Sequence, residues 1–182
     1  MKSILTDPPV AEPVTLAEAK AYLRLSGTEE DALVTALIAA ARQHVERATG
    51  LALMAQGWSH FLDCWPERGT IALPVAPLIA IEAVRVFGED DEPATIDEAH
   101  YFADDAGRPP RFVWRAGRTP PKPGRAANGI EIAVTAGFAG GVPEPLLMAI
   151  LRIVAHRFEN RGDGAAPLGV DHLLLTYRDA VL

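Results

Sequence analysis

The hydrophobic positions change their spacing along the chain, and that change divides it. In "TLAEAKAYLRL", Leu16, Ala19, Tyr22 and Leu23 recur at helical spacing. Thr15 followed three positions later by Glu18 is a capping-box signature. The pattern predicts a short amphipathic helix from Thr15 to Leu25, broken at Gly27. A second helix is expected from a Thr28 cap to about Thr49, with Glu29, Glu30 and Asp31 in its first turn and Gly50 as its stop. Its middle, "ALVTALIAAA", is apolar on almost every side, which predicts burial in the core or between subunits.

After Gly50 the spacing shortens. Runs of β type follow: "WSHFLD", "TIALP", "IEAVRVF", "YFA", "RFVW" and "IEIAVTAGF", separated by Pro, Gly and acidic clusters. In the last of them Ile130, Ile132 and Val134 share a face. The helical period returns at "VPEPLL", where Pro143 and Pro145 sit in the first turn. Leu147, Ile150, Leu151, Val154 and Phe158 form an expected apolar stripe, and Arg152, His156 and Glu159 an expected polar face. Gly162 and Gly164 are expected to end this helix and start a hinge, so that Arg161-Gly162-Asp163 is a helix stop rather than an adhesion motif. Residues 1–13 read as irregular.

The expected fold class is α+β: a small helical core of two N-terminal helices and one C-terminal helix, with a β-rich insertion and an extended C-terminal tail. The boundaries read as one domain, 1–182, with helices at 14–50, the insertion at 56–138, the C-terminal helix at 143–161 and an arm at 162–182.

Composition narrows the function. With 49% hydrophobic and 23% charged residues the chain is globular, and its single cysteine, Cys64, rules out an internal disulfide. The N-terminus lacks the pattern of a signal peptide, and the longest apolar stretch is too short to span a membrane, so a soluble protein made in the cytoplasm is expected. The net charge is 17 − 24 = −7, which argues against gripping nucleic acid over the whole surface. The charge is uneven. Glu82 to Asp105 holds nine acids and one base, whereas Ala106 to Ile130 holds six bases and no acid. Such blocks suit contact between subunits, or else are solvated loops.

Candidate chemistry is sparse. None of the five histidines lies at metal-ligand spacing from another. Cys64 lacks the setting of a thiol nucleophile. The acid run Glu89-Asp90-Asp91-Glu92 lacks calcium-loop spacing, and "AGFAGGVP" has no Lys-Ser/Thr after it and is no phosphate loop. Apolar helices and opposed charge blocks favour an assembly protein. Two other readings stay open: a small hydrolase using His156 and Glu159, and a nucleic-acid binder using the basic Arg108 to Arg125 segment.

The order of several segments resembles the head–tail connector (adaptor) proteins of tailed phages, prophages and phage-derived gene transfer agents. The resemblance is carried by "PVTLAEAKAYLRL", "TEEDALVTALIAAARQHVERATGLAL", "IALPVAPLIAIEAVRVF", "IEIAVTAGFAGGVPEPLLMAILRIVAHRFENRGD" and "LGVDHLLLTYR". Ala106 to Gly129 matches least. The resemblance implies a structural virion protein in the particle neck, assembled in the bacterial cytoplasm, with no catalytic residue, cofactor or metal. The implied partners are the portal protein, a neck or tail protein (stopper or tail terminator), further copies in a homo-oligomeric ring of twelve, and double-stranded DNA that passes without sequence-specific binding. No membrane is involved. Two sets of contact residues are expected. Leu173, Leu174, Leu175, Tyr177 and Arg178 of the tail would dock on the portal. Arg115, Arg118, Glu89, Asp90, Asp91, Arg152, His156 and Glu159 would lie at the subunit interface.

Overall fold

A computed structural model describes residues 1–160, 167 and 169–178. The chain divides into two compact units, each built from two separate stretches: residues 1–9 with 55–139, and residues 10–54 with 140–182.

The helical unit begins at α1, Leu16–Leu23. The Thr15 hydroxyl accepts from the Glu18 amide at 3.2 Å, and the Glu18 carboxylate accepts from the Thr15 amide at 2.7 Å. This is the reciprocal capping box that the sequence predicts. Helix α2, Asp31–Thr49, starts later than expected. The Asp31 amide donates to the Thr28 carbonyl, so Thr28 belongs to the preceding turn and Glu30 occupies the cap. Gly50 ends α2 at φ 71°, a conformation glycine adopts without steric cost. Helix α3, Glu144–Glu159, follows Pro143, and α4, Val170–Leu175, is one short turn and a half.

Helix α2 packs on α3, α1 touches both, and α4 packs on α3 and α2. The core is aliphatic: Val34, Ile38, Ala41 and Val45 of α2 with Leu146, Ala149, Ile150, Ile153 and Val154 of α3 are all buried. The α3 stripe is therefore rotated from the expected one, because Leu147, Leu151 and Phe158 are only half-buried while Leu146 and Ile153 are fully enclosed. Helix α2 is not buried all round: Ala32, Leu33, Thr35 and Ala36 are exposed.

Among the described residues one charged group lies inside this unit. Arg42 is 7% exposed. Its Nε donates to Glu12 at 2.7 Å and its Nη1 to Glu46 at 2.6 Å, while Glu46 also accepts from the Leu53 amide at 3.0 Å. Burial opposes the charge on Arg42, but Glu12 and Glu46 outweigh it and hold the guanidinium protonated. The network ties the segments before α1 and after α2 to the middle of α2.

The β unit holds eight strands: β1 Lys2–Asp7, β2 Gln56–Leu62, β3 Thr70–Ala72, β4 Leu78–Phe87, β5 Pro93–Thr95, β6 Tyr101–Asp104, β7 Arg111–Trp114 and β8 Ile130–Ala136. They form a five-stranded sheet in the order β1-β2-β8-β4-β5 and a three-stranded sheet in the order β3-β7-β6, with antiparallel pairing throughout. The α+β class holds. Six strands match the β runs of the sequence. Strands β1 and β5 correct it: residues 2–7 are an edge strand and not irregular.

Strand β8 alternates as expected, with Ile130, Ile132, Val134 and Ala136 buried. In register with them lie Leu62, His60 and Trp58 of β2 and Val86, Val84 and Ile81 of β4. The core between the sheets adds Ile71, Leu73, Tyr101, Phe112 and Trp114. It is aromatic at its centre: the Phe112 ring lies 5.1 Å from Tyr101, 5.8 Å from Trp114 and 5.9 Å from Trp65.

Candidate functional site

The charge blocks meet within the β unit. Strands β6 and β7 pair so that Asp104 stands opposite Arg111, and the two form an ion pair. This pair, with the Ala106 amide also donating, holds the Asp104 carboxyl below its ordinary range. Arg125 pairs with Asp91 in the turn between β4 and β5, and its guanidinium lies 4.0 Å over the Phe87 ring. Arg115 lies 5.3 Å from the Phe102 ring centroid.

The proline-rich segment is irregular, as expected, yet it is held at several points. The Trp65 indole donates to the Pro121 carbonyl at 2.8 Å, the Gly124 amide to the Phe87 carbonyl at 2.8 Å, and the Asn128 amide to Asp63 at 2.8 Å. Gly124 permits this approach: a Cβ there would stand 2.3 Å from the Glu89 nitrogen.

These contacts change the picture of the expected subunit interface. Asp91 is engaged with Arg125 of its own chain. Arg115, Arg118, Glu89 and Asp90 are exposed at the rim of the β unit. In the helical unit, Arg152 and Glu159 are exposed on α3, while His156 is half-buried and faces the Asn160 side chain. The expected set is thus divided between two units.

The tail residues are also divided. Helix α4 is not an extended arm, and Leu174 is enclosed in the core of the helical unit together with Val170. Leu173 and Tyr177 are half-buried, and Leu175 is 54% exposed. Arg178 is exposed and pairs with Asp171 at 2.9 Å. Val170 and Leu174 stand at i, i+4, a spacing that marks a buried helical face. The expected hinge at Gly162 and Gly164, and Arg161-Gly162-Asp163 with it, lies outside the described residues.

The histidines do not converge. His60 of β2 is fully buried, and burial lowers its pKa to about 4. Its Nδ1 lies 2.9 Å from the Ser3 hydroxyl of β1. His44 of α2 is lowered by burial first, then by Arg157 and Arg47. Among the described residues no group of three His, Cys, Asp or Glu side chains is placed to hold a metal ion. Cys64 is exposed just after β2. No helix among them is long and apolar enough to cross a membrane.

The family model described as phage gp6-like head-tail connector protein matches residues 13–87, which span α1, α2 with its buried Arg42, and strands β2 to β4. A solved chain from the neck of an empty GTA particle, computed with C6 symmetry, superposes with a TM-score of 0.86 at 26% identity, covering 98% of this chain and 95% of that one. The chain is a head–tail connector. A chain from the virion of a native gene transfer agent (GTA) particle matches this connector with a TM-score of 0.82 at 26% identity, covering 98% and 95% of the two chains. A third, from the neck of a native GTA particle computed with C12 symmetry, gives 0.77 at 26% identity over 96% and 94%. No curated protein matches the connector. As a connector it is a structural protein and not an enzyme.

Proposed function

We propose that this connector forms a cyclic ring, of twelve copies, in the neck of a gene-transfer-agent or phage-like particle. There it joins the portal vertex of the head to the next neck or tail component and surrounds the path of the DNA. The single observation that carries this reading is agreement in fold over nearly the whole chain with neck chains of GTA particles. The net charge of −7 suits a conduit through which DNA passes without being held.

Two contact surfaces follow. The portal-facing patch is the outer side of α4 and the residues after it: Leu175, with Leu173, Tyr177 and Arg178 beside it. Leu174 holds this patch to its own subunit. The second surface is the contact between copies, to which Arg115, Arg118, Glu89 and Asp90 of the β unit and Arg152, His156 and Glu159 of the helical unit contribute. Exposed charges at such a rim govern register and rate of assembly more than its strength.

Deleting the gene tests the reading. The expected result is DNA-packaging heads that carry no tails, with particles restored by the wild-type chain. Complete tailed particles from the deletion strain would refute it. A Leu175→Asp, Tyr177→Ala double variant is expected to fold, since both residues reach solvent, yet fail to co-purify with portal-bearing heads.

A further inference from the structure

The five-stranded sheet ends in two edges of opposite character. Strand β1 is exposed at all six positions, and no described residue pairs with its outer side. Its centre, Ser3 to Thr6, is uncharged, and Ile4 and Leu5 are 44% and 41% exposed. A regular, uncharged edge is a template for another strand, and proteins usually guard such edges with charges, proline or bulges; the irregularity of β1 lies between Leu5 and Asp7, so Lys2 to Leu5 is its regular part. The opposite edge, β5, is also exposed but short. It is bracketed by Glu89-Asp90-Asp91-Glu92 before it and Asp97 and Glu98 after it.

We propose that β1 of one copy pairs with β5 of the next, so that the sheet continues from subunit to subunit. The proposal rests on the ring reading above. A contact that closes a ring needs two different surfaces on each subunit, and the two ends of one sheet supply them. Charge selects the partner. Pairing β5 with β5 sets acids against acids at both ends, whereas β1 brings an uncharged centre with Lys2 at one end and Asp7 at the other, so that acid meets acid at one end only. Pro93 lacks an amide, which an edge strand tolerates. The contact is therefore only a few residues long, and it sets register while other surfaces add area. The competing arrangement is β1 with β1 about a two-fold axis, which places Lys2 opposite Asp7. It yields dimers and not a ring, and the similar neck structures were computed with cyclic symmetry.

Cross-linking in assembled particles tests this. The exposed native thiol is removed with Cys64→Ser, and Ile4→Cys and Thr95→Cys are introduced singly and together. A thiol-reactive linker that reaches a diagonal cross-strand neighbour, about 8 Å, is then applied. The expected result is a ladder of oligomers from the double variant and none from either single variant. No ladder from particles that contain the protein would overturn the pairing, as would dimers from Ile4→Cys alone. Particles that lack the protein would overturn the ring reading itself, and this contact with it.

Discussion

The two units solve the problem of stability differently. The β unit encloses an aromatic core and joins its opposed charges to each other across hairpins and turns. The helical unit has an aliphatic core, exposed Ala32, Leu33, Thr35 and Ala36 on α2, and a buried arginine shared by two carboxylates. Aromatic packing tolerates exposed edges, because the centre of the sheets carries the stability. The helical unit depends more on specific polar ties at its ends. All three tryptophans, Trp58, Trp65 and Trp114, lie in the β unit. Tryptophan fluorescence therefore follows that unit, and circular dichroism at the helical band follows the other.

This contrast can be broken at several points. Phe112 is fully buried among three other aromatic rings. Phe112→Ala is expected to cost about 4 kcal/mol, read as a lower denaturant midpoint of the fluorescence transition. Unchanged fluorescence unfolding would remove the aromatic core from the account. Arg42→Ala removes the cation shared by Glu12 and Glu46 in a partly buried site and is expected to cost about 3 kcal/mol at the helical band. A loss below about 1 kcal/mol, the range of surface pairs, would make the network ornamental.

The third test uses pH. His60 is neutral when folded, with its pKa lowered from 6.5 to about 4 by burial. Above pH 6.5 both states are neutral and the group contributes nothing to the pH dependence. As pH falls from 6.5 to 4 the unfolded state takes up the proton first, so stability is lost across that window. The loss reaches about 3 kcal/mol at its acid end. A His60→Gln variant is expected to lack this component of the slope while keeping that of the carboxylates. Parallel slopes for both proteins would contradict a buried neutral His60. The smallest effect is expected from Thr15→Ala, about 1 kcal/mol, through loss of half the capping box.

Much of the helical unit was legible because its signals are local. A capping box, a C-terminal glycine and a 3.6-residue period each act within a few positions, and Thr15, Glu18 and Gly50 do what their spacing implies. The start of α2 was misplaced because three acids and a threonine offer several caps, and the turn at Thr28 uses the carbonyl instead. The rotated stripe on α3 has a similar cause. "PLLMAILRIVAHRF" is apolar on more than one side, so only packing against α2 decides between Leu146 and Leu147.

In the β unit the local signal ran out sooner. Six strands announced themselves by alternation or by β-branched and aromatic content. Strand β1 did not, because all six of its positions are exposed and no face carries a pattern. Strand β5 has three residues, one of them proline. The pairing inside the charge blocks was not legible for a geometric reason: distance along the chain hides the β6–β7 register that sets Asp104 against Arg111. In the tail, "LLL" suggested a docking arm, while the i, i+4 pair Val170 and Leu174 already pointed to a helix held on its own subunit. The contact residues between subunits leave no local signature, since a surface is complementary only to its partner.

The ring proposed for this connector, between head and tail, is open to direct observation. Electron cryomicroscopy of purified particles, reconstructed at the neck, tests it most directly. The expected result is a ring of cyclic symmetry below the portal into which the two-sheet and helical units of this chain each fit, with α4 toward the portal. A neck fully accounted for by other chains, or this protein found elsewhere in the particle, would contradict it.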